Sequence, residues 1–127
     1  MKRTYITGED ANSITLGVKV GTQGTAYSSV YSAHSGGPET KIADSEDDTG
    51  SIRNVNIGKA SKLRNSYLLI STVIDLSAFD PTTWDNLTIR YHLNGGSSGN
   101  QVYNQDIDDT KMLSDGKILV TKPIELQ

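Results

Sequence analysis

The chain has 127 residues, no cysteine and a net charge of −3. That length suits one domain with one core, expected here to be residues 1–127. The missing thiols exclude disulfides and thiolate metal sites, and the acidic balance argues against a nucleic-acid binder, which carries a basic patch.

No stretch approaches the ~18 consecutive apolar residues of a membrane-spanning helix. The nearest is YLLISTVIDL, interrupted by Ser71, Thr72 and Asp75. At the start, MKRTYITGED has two early basic residues but no apolar run behind them. No cleavable signal is read there, so the expectation is a cytoplasmic protein, or one exported by a route without such a signal. The lack of cysteine suits a reducing compartment.

In chain order, SITLGVKV is the first clear strand. Ile14, Leu16, Val18 and Val20 alternate with polar or small residues, and a period of two places them on one face. GTQG follows as a turn. TAYSSVYS is a softer strand, with Tyr27 and Tyr31 on one face beside Thr25 and Ser29, and Ala26, Ser28 and Val30 on the other. Residues 33–50 have no strong period and read as a long loop, with room for a short edge strand.

SIRNVNIG resumes the strand pattern, and KASKLRN reads as a polar connector. In NSYLLISTVIDLS, one face carries Leu68, Ile70, Ile74 and Leu76 with Thr72 among them, and the other carries Leu69 and Val73. Apolar residues on both faces predict a central strand covered on both sides. Asp80 before Pro81 predicts one short helical turn near residues 80–85, with Trp84 folding back on the core edge.

LTIRYHLN is a clean strand pointing Leu87, Ile89, Tyr91 and Leu93 inward and Thr88, Arg90 and His92 outward. GGSSG is a hairpin loop, NQVYNQDID a polar edge strand, and Asp115–Gly116 a turn. The last strand runs through Ile118 and Val120, with Pro123 limiting further pairing. About eight short strands at this spacing predict an all-β fold, an antiparallel, jelly-roll-like sandwich, with a closed barrel as the alternative.

The densest charge is in KIADSEDDTGSI. Asp44, Glu46 and Asp48 alternate as oxygen ligands for calcium do. The EF-hand pattern fails, because Thr49 stands where glycine is needed and Val55 where a bidentate glutamate is needed. A calcium site in a sandwich would need these acids to meet Asp106, Asp108 and Asp109 from another loop; otherwise the loop is simply solvated. The neighbouring basic run of Arg53, Lys59, Lys62 and Arg64 reads as charged surface.

GGSSG formally matches G-x-S-x-G around Ser97, but that chemistry needs a strand-to-helix elbow, and no helical pattern follows. IGKAS lacks the earlier glycine of a phosphate loop. His34 and His92 are too few and too far apart in sequence for a zinc site. Asp106 and Asp108 could act as a general acid–base pair only with one raised pKa and a cleft. No catalytic set is expected.

Tyr27 and Tyr31 offer flat apolar area with polar tips, suited to a sugar or a protein partner. The functional expectation is a non-catalytic protein–protein interaction or assembly module, a structural subunit or adaptor with no nucleic-acid partner. The alternative is a carbohydrate- or calcium-dependent ligand-binding module.

Overall fold

The computed structural model describes residues 3–34, 36–80 and 87–127. The helical turn expected near residues 80–85, with Trp84, lies outside the described residues. Among the described residues there are ten strands: β1 (Arg3–Tyr5), β2 (Ser13–Gly21), β3 (Thr25–His34), β4 (Thr40–Asp44), β5 (Ile52–Lys59), β6 (Ser66–Asp75), β7 (Thr88–Asn94), β8 (Gln101–Asn104), β9 (Thr110–Met112) and β10 (Lys117–Leu126).

They form two packed sheets and no closed barrel. One sheet has the order β1-β10-β6-β3-β4, with β9 also paired to β10. The other has the order β5-β2-β7-β8. All pairings are antiparallel except β1 with β10. Of the ten strands, β1 and β9 are three residues each, too short to show a period of two.

The alternating residues fill the space between the sheets. Ile14, Leu16 and Val18 from β2 meet Leu68, Ile70 and Ile74 from β6 and Ile89, Tyr91 and Leu93 from β7, all 2 % exposed or less. The two polar steps on the inner face of β6, Ser66 and Thr72, are satisfied within the core. Ser66 Oγ donates to the Leu63 carbonyl. Thr72 Oγ1 and Ser28 Oγ share a hydrogen bond of 2.8 Å, and the Ser28 N–H donates to Ser45 Oγ at 2.9 Å.

Three expectations need correction. The polar connector after β5 contains a one-turn helix, α1 (Ala60–Leu63), because Ala60 and Leu63 fall on one side and are buried. The last strand does not stop at Pro123. Pro123 stands opposite Leu69, where the other neighbour of β10 changes from β9 (ending opposite Ile118–Val120) to β1 (opposite Ile124–Leu126). No ladder bond from its nitrogen is needed at that gap, so the strand passes through. Finally, β6 is central but covered on one face only: Val73 is 37 % exposed on the other.

The GGSSG segment is the β7–β8 connection, pinned by the chain after β1. The Tyr5 hydroxyl donates to the Gly99 carbonyl at 2.6 Å and accepts from the Gly96 N–H at 3.0 Å. The Ser97 and Ser98 N–H groups donate to the Thr7 and Ile6 carbonyls. A Cβ at residue 96 would lie 2.8 Å from both the Ile6 carbonyl oxygen and the Tyr5 ring. Close approach of two backbones, rather than a nucleophile elbow, therefore accounts for this glycine-rich run.

Ile70 is fully buried at the centre of the inner face. Replacing it by alanine is expected to lower stability by about 2–5 kcal/mol. Urea unfolding checks this: the midpoint should fall while the slope is kept.

Candidate functional site

The uncovered face of the six-stranded sheet is built by the odd residues of β3, β6 and β10. Cross-strand register sets them in rows. Tyr27, Val73 and Leu119 form one row, and Tyr31, Leu69 and Pro123 another. Between them runs a polar row of Ser29, Ser71 and Thr121. Tyr27 is 48 % exposed, and the others are at least partly exposed except Ser29, which is buried and bonded to Asp44. Cross-strand neighbours stand ~5 Å apart, so each row is a continuous apolar stripe.

This face has an acidic end. A groove of about 530 Å³ joins Tyr27 and Val73 to Glu46, Asp47, Asp48 and Asp75, with Lys117 beside them. Asp44 lies at the end of β4, where its carboxylate accepts from Ser29 Oγ at 3.0 Å and pairs with Lys41 at 3.2 Å. Its desolvation acts to raise its pKa, but hydrogen bonds from Ser29, Tyr27 and Lys41 prevail and lower it. Asp47 is tied into its own turn, accepting from Thr49 Oγ1 and from the Thr49 N–H, and these bonds lower its pKa.

The structure thus brings Tyr27, Tyr31, Asp44, Glu46 and Asp48 to one side of the molecule. It does not gather the two acidic loops: among the described residues the carboxylates close enough to share a cation are Asp106, Asp108 and Asp109 alone, with ligand atoms within 4.8 Å of one another.

Two of those three are already held by cations of the chain. Lys122 lies on the inner face of β10, 0 % exposed. Its ammonium donates to Asp106 Oδ2 and, at 3.0 Å, to Asp109 Oδ2. Arg3 on β1 donates to the other Asp106 oxygen at 2.9 Å. The Asp106 N–H closes the loop on Asp109 Oδ2 at 2.8 Å. A divalent ion entering here would meet the Lys122 ammonium at close range, with strong repulsion in a poorly solvated site.

The hydrogen bonds from Lys122 and Arg3 hold the Asp106 pKa down at about 2. That is the wrong direction for a general acid, which needs a raised value. Tyr91 points its hydroxyl into the buried side of this region, without a hydrogen-bond partner among the described residues. Burial, then the charges of Asp109 and Asp106, raise its pKa.

Lys122 and Arg3 are absent from the residues singled out in the sequence, and Tyr91 is read there only as a core residue. The signal for Lys122 is present: it continues the apolar phase of Ile118, Val120, Ile124 and Leu126. His92 is half-buried on the outer face of β7, and His34 is exposed at the end of β3. No known protein family, curated protein or solved structure matches this chain.

Two predictions follow from the ionic cluster. Lys122→Met removes the shared cation and is expected to destabilise the fold by about 3–5 kcal/mol, because it strands buried carboxylate charge. Lys122→Met/Asp109→Leu should recover part of that loss, measured as urea midpoints, since Arg3 remains to pair Asp106. The second concerns pH. Asp106 has its folded pKa lowered from 3.8 to about 2, so it contributes stability above the ordinary carboxylate range and loses it as pH falls toward the folded value. Unfolding midpoints should therefore drop between those limits, and Asp106→Asn should flatten that part of the profile.

Proposed function

We propose that this protein is a non-catalytic interaction or assembly module that docks a protein partner on the outer face of its six-stranded sheet. The observation that carries this reading is the pair of apolar stripes, Tyr27–Val73–Leu119 and Tyr31–Leu69–Pro123, left uncovered by any described element. A contiguous exposed apolar patch with a polar rim marks an interaction surface more often than not. Tyrosine supplies large contact area at low entropic cost.

The rim sets the character of the partner. Glu46, Asp47, Asp48 and Asp75 concentrate negative charge at one end of the stripes. A complementary surface carries an apolar centre with lysine or arginine beside it. The face belongs to hydrogen-bonded β-strands, so docking needs little reordering of this chain.

The carbohydrate reading keeps one specific support. Asp44, fixed by Ser29 and Lys41, lies beside Tyr27, which sets a polar anchor next to an aromatic ring. A sugar would stack on Tyr27 or Tyr31, and a glycan array tests it, with Tyr27→Ala abolishing any signal.

The protein reading is tested by placing a photo-crosslinking residue at position 69 or 73 and following adducts in its native cell, with sedimentation velocity of the pure chain in parallel. Discrete adducts or a concentration-dependent oligomer are expected. Tyr31→Lys should remove them without lowering the melting temperature, because the side chain is partly exposed. A monomer that yields no adduct from either position excludes the face as a docking surface.

A further inference from the structure

The other outer face, that of the four-stranded sheet, has the opposite character. The chain carries 15 acidic residues, yet none falls in β2, β5, β7 or β8. Those strands carry Lys19, Arg53, Lys59, Arg90 and His92 instead. Lys19 and Arg90 are directly opposite in the β2–β7 register. Like charges at facing positions repel, and the arrangement costs stability unless an anion relieves it.

No described residue does so. Among the described residues neither Lys19 nor Arg90 has a carboxylate within salt-bridge distance, whereas Arg3, Lys41, Arg64 and Lys122 are all paired. Beside the pair runs a shallow groove of about 470 Å³, lined by Lys19, Ser51, Arg53, Asn54 and His92 over Gly17. Gly17 is what keeps the floor low, since a Cβ there would lie 2.4 Å from the Asn54 side-chain oxygen. Arg53, at the groove's far side, also lowers the Asp47 pKa through its charge. The strongest uncompensated positive charge is therefore at Lys19 and Arg90.

We infer that this face binds an acidic saccharide chain, with a uronate or sulfate group held between Lys19 and Arg90. The rest of the face supports a saccharide over other polyanions. Thr15, Asn54, Asn94 and Asn104 project from it, and none makes a side-chain hydrogen bond among the described residues. Amide and hydroxyl groups in that state match sugar hydroxyls. Among the described residues this face presents no Phe, Tyr or Trp ring to stack a nucleic-acid base, the main sequence-tolerant contact to single strands, and its one imidazole, His92, is half-buried in the groove. Val102 at the edge is its one well-exposed large apolar residue, too little to enter a lipid surface.

Affinity electrophoresis through gels containing heparin, polygalacturonate or neutral dextran tests the assignment. Retardation by at least one acidic glycan, weakening with added salt, and none by dextran is the expected result. Lys19→Gln/Arg90→Gln should weaken binding by about tenfold, while Lys111→Gln on β9 of the opposite sheet leaves it unchanged. All three lysine and arginine positions are exposed, and a thermal melt of each variant verifies the fold. Absence of binding to both acidic glycans overturns the proposal. So does equal retention of single-stranded DNA or anionic vesicles, or binding that survives the double substitution. The outcome is independent of the protein-docking face, because no residue is shared.

Discussion

A lysine in the core phase of the last strand is the constraint around which this sandwich closes. Lys122 is fully buried between apolar neighbours on β10. An ammonium there is tolerable only if counter-charge comes to it. The chain supplies that charge by folding the segment after β8, the edge strand of one sheet, back against β10 of the other, so that Asp106 and Asp109 reach Nζ. Arg3 on β1 then takes the remaining Asp106 oxygen. Among the described residues two cations meet two carboxylates, and they connect β1, β10 and the β8–β9 segment in one network. Such a network adds less to stability than an apolar core of equal volume, but it penalises any register that separates its members.

With that end of the sandwich closed by internal ion pairs, the acidic residues there have little freedom to act on anything else. The surfaces left for partners are the two outer faces, and these differ for a simple topological reason. Each long strand has one side in the core and one side outside, so the outward residues of each sheet are free to carry any chemistry. On the six-stranded sheet they are tyrosine, leucine, valine and proline with an acidic margin. On the four-stranded sheet they are cationic and amide-bearing, with no carboxylate in any strand. A net charge of −3 conceals this separation, since an average over the chain says nothing about how charge is divided between faces.

Much of the fold was legible because a period of two is a strong signal wherever one face is buried. Ile14, Leu16 and Val18, Leu68, Ile70 and Ile74, and Ile89, Tyr91 and Leu93 all fill the core that the alternation assigns to them. The same alternation put Tyr27 and Tyr31 on the side away from Ala26 and Val30, where they stand. What alternation cannot reveal is whether a second apolar face has anything over it. Leu69 and Val73 read as core, because burial and docking surfaces use the same residues. Ending the last strand at Pro123 hides the phase of Lys122, and with it the reason that Asp106 and Asp109 are held as they are. Proline excludes a ladder bond on one side only, and which side faces a gap depends on strands distant in sequence.

The acidic stretch at residues 44–48 shows the same limit from the other direction. Spacing alone made it a candidate cation cage, yet its geometry is a set of separate local tasks. Asp44 is engaged by Ser29 and Lys41, and Asp47 closes its own turn on Thr49. Glu46 and Asp48 are exposed beside Tyr27. A cation cage requires several carboxylates to give up their local partners and converge, at the cost of mutual repulsion until the ion arrives. A charged margin to an apolar face requires neither. It works at long range, orienting an approaching partner before contact, and its effect survives whatever small rearrangements the loop makes. If the stripes dock a partner as proposed, the acids at 44–48 serve as the electrostatic edge of that surface.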